Sequence, residues 1–319
     1  MEPIGGYFSL ELPFYEEYHK DALRLNTGRN CLEYILRARK YNKVFIPYYT
    51  CDVILEPLMK LNIPYEYYHI NVHLELPQDI LLRDGEALLY TNYYGLKQEY
   101  TEQLALRYGN QLIVDNTQAF YAKPIAEIDT FYSCRKFFGV PDGAYLYTSQ
   151  QLDVDLTQDM SFERMDSLTK RIDISPEAGY QDFRNVSKSL IGQPIKRMSN
   201  LTQRMMNSID YHVCAKRRKE NFRFLYQHLC KSNQLQFQLD ENAVPMVYPF
   251  LNGDSSLKQK LIDKKVFLAT YWPNVLIWSH KDDWDYKLAE RTLFIPIDQR
   301  YGEIEMKKIV NIISNESIN

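Results

Sequence analysis

Five cysteines are scattered over 319 residues, at positions 31, 51, 134, 214 and 230. The number is odd and no CxxC pair occurs, which argues against a disulfide framework or a structural zinc site and fits a reducing cytoplasm. The six histidines form no HExxH or comparable cluster, so no metal is expected. No apolar run approaches the ~18 residues that a membrane span requires. The opening "MEPIGGYFSLELP" carries two acids and no basic n-region, so it does not read as a secretory signal. A formal net charge of −3, with both signs mixed along the chain, excludes the concentrated basic face that nucleic-acid binding needs. Internal repeats and low-complexity segments are missing too.

What remains is ordinary for a globular protein: 45% hydrophobic and 25% charged residues, enough chain for one large domain or two modest ones. The 26 tyrosines fit either a ring-rich binding surface or plain codon bias. From residue 27 helical and strand patterns alternate. "TGRNCLEYILRARK" places Leu32, Ile35 and Leu36 on one helical face, "CDVILEPLMKLN" returns to that spacing, and "KQEYTEQLALRYGN" does so again before Gly109. Between them "KVFIPYY", "YEYYHI", "EALLYT", "QLIVD", "IDTFYSC" and "GAYLYTS" read as short strands. This alternation predicts an α/β fold with a largely parallel sheet covered on both faces. Ligands in such sheets bind beyond the carboxyl ends of strands. Asp115, the Tyr48–Cys51 segment and Ser133–Lys136 all fall at that edge.

Residues 151–198 are polar and read as a long loop region. Residues 199–230 read as one long helix, with the basic run at 216–221 a solvated face. From about 235 the pattern is a smaller α+β unit: "MVYPFL", a helix near "SLKQKLIDKK", "LFIPI" and a terminal helix through Ile309 and Ile313. The expected division is an N-terminal arm (1–20), a large domain (21–198), a connecting helix (199–232) and a small C-terminal domain (233–319).

One stretch, "YSCRKFFGVPDGAY" (132–145), sets a lysine at a strand-to-turn junction where a solvated charge has no evident use. Lys136 follows "IVDNTQAFY", whose Asp115 also ends a strand, with Gln118 three residues on. With "LNTGRNCL", "VFIPYYTCDVI", "LLYTNYYGL", "KRRKENFRFLYQHL" and "LFIPIDQRYGEIEMKKIV" in this order, the chain resembles the DegT/DnrJ/EryC1/StrS family of sugar aminotransferases from about residue 20 to 313. The resemblance implies the fold type I architecture of pyridoxal 5′-phosphate (PLP) enzymes: a mainly parallel seven-stranded sheet between helices, plus a small C-terminal α+β domain. It implies PLP as cofactor and Lys136 as the amine that carries it and moves protons. Asp115 would pair with the pyridine nitrogen, and Gln118 would reach the ring hydroxyl region. Thr27, Gly28 and Arg29 at a helix start, with Ser133, would hold the phosphate, and Tyr49 would stack on the ring, with Tyr48 as a rival.

Departures from the family accompany these matches. Arg29 puts a cation where Ser-Gly-Thr is usual, Ser133 and Lys136 are three positions apart rather than five, and the N-terminal arm is short. The implied activity is amino transfer from glutamate to a nucleotide-linked keto sugar, for polysaccharide or related biosynthesis, in a cytoplasmic homodimer. The 151–198 region, with Arg184, Lys188 and Arg197, would reach across to the second subunit. A PLP enzyme acting on a non-sugar carbonyl, or a non-catalytic binding protein of the same fold, are the alternatives. "ATYWPNVLIWSHKDDW" (269–284) either lines the substrate pocket or packs the small domain.

Overall fold

Strands of three to six residues, the central ones almost wholly buried, are stable only when both sides of their sheet are covered. Such coverage is what the computed structural model shows; it describes residues 4–237 and 240–314. The first three residues of the expected arm, and residues 238–239 and 315–319 of the expected small domain, lie outside the described residues.

Seven strands form the main sheet: β1 (Leu23–Leu25), β2 (Lys43–Pro47), β3 (Tyr65–Tyr68), β4 (Glu86–Thr91), β5 (Leu112–Asp115), β6 (Asp129–Ser133) and β7 (Ala144–Tyr147). Their order is β1-β7-β6-β5-β4-β2-β3. Strands β2 to β6 run parallel, whereas β7 is antiparallel to β6 and β1 to β7. Alternation sorts their side chains. Val44, Ile46, Ala87, Leu89, Ile113 and Phe131 face the cluster formed with α1 (Gly28–Arg39) and α2 (Leu55–Lys60). Phe45, Leu88, Tyr90, Leu112, Val114 and Tyr132 face the other, which includes Leu104 of α3 (Gln98–Tyr108).

Helix α1 fixes the position of the site. Cys31, Leu32, Ile35 and Leu36 bury its inner face, and Lys40, in the left-handed conformation at φ 57°, ends it. Beside that end, Arg39 makes a two-pronged bond to Asp129 at the start of β6, at 2.7 and 2.9 Å. At the other end Gly28 lies against Phe131 and Thr117, so a Cβ there would sit 3.3 Å from the Thr117 methyl. The helix thus runs back along β6, with its N-terminus at the carboxyl edge of the sheet.

Two segments differ from the sequence-based expectation. The polar stretch 151–198 is not one loop: it contains α4 (Asp166–Asp173) and α5 (Tyr180–Ser189). Each buries a single residue, Ser167 or Val186, and their apolar period, carried by Leu168 and Ile172 and by Tyr180, Phe183 and Val186, is masked by the polar residues around it. The expected long helix is two, α6 (Asn200–Met206) and α7 (Tyr211–Leu229), because Asp210 caps the second by accepting from Val213 N at 3.0 Å. Beyond them β8 (Val247–Leu251) and β9 (Thr292–Pro296) pair antiparallel. Their core is shared with α7, α8 (Leu257–Asp263) and α11 (Glu303–Ser314), while α9 (Val275–Trp278) and α10 (Trp284–Arg291) lie between the two strands in the chain.

Arg218 of α7 joins the two sheets. It is 1% exposed. Its guanidinium donates to Phe137 O at 3.1 Å, Met246 O at 3.0 Å and Gln299 Oε1 at 3.0 Å, and lies 4.5 Å from the Phe137 ring centroid. Gln299 Nε2 donates to the same Phe137 carbonyl at 2.9 Å. The residue after Lys136 is therefore held by two donors from outside the main sheet. Replacing Arg218 with Met keeps the apolar stem and strands these acceptors, so stability measured by urea unfolding should fall by about 3 kcal/mol or more. Arg218→Lys should not restore it, since one ammonium cannot span the fork. A loss of less than about 0.5 kcal/mol in Arg218→Met would remove this residue from the joint.

Candidate active site

The carboxyl ends of β5 and β6 and the start of α1 enclose a cavity of about 330 Å³. Thr27, Gly28, Arg29, Asp115, Ser133 and Lys136 all line it. Asp115 is 4% exposed and accepts from Thr117 N at 2.8 Å. Lys136 Nζ donates to Thr117 Oγ1 at 3.3 Å. Thr117 thus bridges the carboxylate and the amine. Burial pushes the Asp115 carboxyl above its ordinary range, against the opposing pull of the Lys136 charge and the Thr117 bonds. Trp272, from beyond β8, forms part of the wall, its ring centroid 5.9 Å from Lys136 Nζ. Asn274 ties that loop down by donating to Thr50 O at 2.9 Å.

Of the other residues expected here, Tyr49, Tyr48 and Gln118 do not line the cavity, and the side chains of Thr27 and Arg29 are engaged elsewhere. Tyr49 is fully buried, shares a 2.8 Å hydrogen bond with the Tyr94 hydroxyl and meets Trp272 edge-on at 5.0 Å. It supports the wall, and Cys51 two positions on is the residue that faces the cavity. Tyr48 stacks between Tyr67 and His69, away from Lys136. Gln118 is buried, with Oε1 accepting from Tyr94 N at 3.0 Å, while its Nε2 has no partner among the described residues. Thr27 caps α1, and its hydroxyl is spent on Asn30, to whose Oδ1 it donates at 2.5 Å. The Arg29 guanidinium is paired with Glu56.

Thr117, Cys51 and Arg135 are cavity residues that the sequence did not single out. Thr117 was visible only as the middle of "DNTQ", and nothing in the order of residues told a bridging threonine from a turn residue. Within "ATYWPNVLIWSHKDDW", Trp272 both lines this cavity and belongs to the main hydrophobic core.

The donor set suits PLP. An amine and a buried carboxylate face one cavity, Gln118 Nε2, on the residue after Thr117, is an orphaned donor among the described residues, and the Gly28 and Arg29 amides have no intrahelical acceptor. A raised carboxyl pKa means that the folded state holds the Asp115 proton more tightly than the unfolded chain does. Its contribution to stability is full below the ordinary value near 4 and is lost as pH rises through the folded pKa. In cofactor-free protein Asp115→Asn should therefore raise the melting temperature at pH 7, by about 2–4 °C for each kcal/mol gained. The gain should vanish as pH approaches about 4. Thermal unfolding across that pH range tests this; a gain independent of pH, or none at pH 7, would contradict the electrostatic origin.

No family model and no curated protein sequence matches the chain. Solved structures do. The sugar aminotransferase CalS13 from Micromonospora echinospora is 12% identical, with 93% of this chain and 88% of that one covered at a TM-score of 0.58. NtdA from Bacillus subtilis, with bound cofactor PMP, is 14% identical over 92% and 72% of the two chains at 0.64. A DegT DnrJ EryC1 StrS aminotransferase from Brucella abortus is 13% identical over 95% and 90% at 0.58. The α/β architecture that the sequence implied is confirmed: this chain has the same fold as these aminotransferases.

Proposed function

We propose that the chain is a PLP-dependent aminotransferase that moves an amino group from glutamate to a nucleotide-linked keto sugar. The observation that carries this reading is the convergence of Asp115, Thr117 and Lys136 beside the start of α1. When bound, PLP would supply the electron sink that amino transfer requires. Lys136 Nζ holds the cofactor and takes and returns a proton at the substrate carbon that bears the amino group. Asp115 would keep a proton on the pyridine nitrogen by accepting its N–H once the cofactor's positive ring nitrogen stands beside it. Thr117 sets the distance between the two, and Trp272 helps exclude water from Lys136.

The sugar substrate rests on likeness to CalS13, which is named a sugar aminotransferase; a role in polysaccharide or related biosynthesis rests on the sequence resemblance alone. A homodimer is supported by apolar side chains left exposed along the 151–198 stretch: Phe162 at 65%, Ile172 at 84% and Ile174 at 69%. On this reading 21–198 is the cofactor domain, 199–232 the connector and 233–319 the small domain. The five free cysteines suit a cytoplasmic setting.

Addition of PLP to the purified protein should produce a visible absorption band, and borohydride should then fix the label on the peptide containing Lys136. Lys136→Ala should lose both band and label. A label on another lysine, such as Lys123, would show that the site has been misassigned, and no band at all would refute the cofactor.

A further inference from the structure

Two groups expected to meet the phosphate are already engaged. The Thr27 hydroxyl is bonded to Asn30, and the Arg29 charge is neutralised by Glu56, whose other oxygen accepts from Gly192 N at 2.7 Å. A phosphate monoester carries about −1.5 to −2, whereas a helix N-terminus offers roughly +0.5. Apart from Lys136, one cation on the wall is still uncommitted. Arg135 is partly buried and has no carboxylate in ion-pair contact among the described residues. Its guanidinium donates to Ser187 Oγ at 3.3 Å and rests 5.3 Å from the Phe183 ring, both on α5. Asp142, the acid that acts on it most, is 2.9 Å from Arg164, though without a well-aligned hydrogen bond, and bonds Thr202 as well. Burial, with the Arg29 and Arg164 charges nearby, lowers the Arg135 pKa to about 10, so it stays charged at neutral pH.

A guanidinium partly withdrawn from water without an ion-pair partner is a cost to the fold. Its position explains why the fold retains it. Arg135 lines the same cavity as Gly28 and Ser133, one residue before Lys136. We infer that Arg135 is the counter-charge for the cofactor phosphate, set between the start of α1 and the inner face of α5. It takes over the role that Thr27 and Arg29 have given up. The inference rests on PLP being the cofactor. It involves binding only, with no bond made or broken, and it makes α5 part of the phosphate site through Ser187 and Phe183.

The test compares PLP with pyridoxal, which lacks the phosphate, by absorbance titration of dialysed wild-type, Arg135→Ala and Arg135→Lys proteins. Circular dichroism controls for folding. Wild type should bind PLP far more tightly than pyridoxal. Arg135→Ala should weaken PLP binding about 10- to 100-fold and leave pyridoxal affinity unchanged. Arg135→Lys should recover part of the loss, because the charge returns without the fork. If Arg135→Ala keeps the wild-type ratio of PLP to pyridoxal affinity, or weakens both ligands equally, the anchoring role is wrong and the cofactor assignment stands. If wild type binds neither ligand, the proposed function fails and this inference fails with it.

Discussion

A buried guanidinium has to satisfy its N–H groups on the protein or the fold loses several kcal/mol. In this chain Arg218 does so by gathering Phe137, Met246 and Gln299, which are far apart in sequence. Much of the remaining architecture follows from that requirement. Helix α7 must pass between the two sheets, β8 must begin beside it, and the turn after β9 must fold back so that Gln299 reaches Phe137. Asn221, on the same helix, extends the joint by donating to Ile297 O and Tyr301 O, both at 3.0 Å. The lysine at the cavity is thereby attached to a backbone that is bonded on its far side as firmly as on its strand side.

The second constraint is the direction of α1. A helix carries partial positive charge at its start and negative at its end. The Arg39–Asp129 pair at one end and the close approach of Gly28 at the other leave no room for sliding by a turn. Asp115 and Lys136 stand at the same edge because β5 and β6 are parallel neighbours, with Asp115 in register with Phe131. The cavity brings a helix start, an acid and three cations together, with sheet topology setting the edge and the turn after β6 held in place at Phe137.

The strands and the order Asp115, Gln118, Ser133, Lys136 were legible because both depend on short-range periodicity and chain order. What escaped was decided by contacts. Tyr49 and Cys51 follow the end of β2, where the two-residue alternation gives way to a turn, so periodicity could not say which side chain enters the cavity. Thr27 is a good helix cap for the same reason that it is a poor ligand: its hydroxyl bonds backbone and side chain of Asn30. Arg29 looked free until Glu56, 27 positions away, was placed beside it. Helices α4 and α5 bury little, yet Leu168 and Ile172, and Tyr180, Phe183 and Val186, recur at helical spacing within them; the surrounding polar residues hid that period.

Trp272 has a consequence for synthesis. A nascent chain that has emerged to residue 250 already contains the whole seven-stranded sheet, the start of α1 and the pair Asp115 and Lys136. It lacks the indole wall and the Asn274 tether, and Gln299 is still to come. On the ribosome the charged groups are therefore assembled long before they are shielded. Anything small and anionic captured at that stage would sit in an open, hydrated groove. Residues 272–299 convert that groove into a cavity, so tight retention of a small molecule waits on chain synthesised more than a hundred residues after the last strand of the sheet.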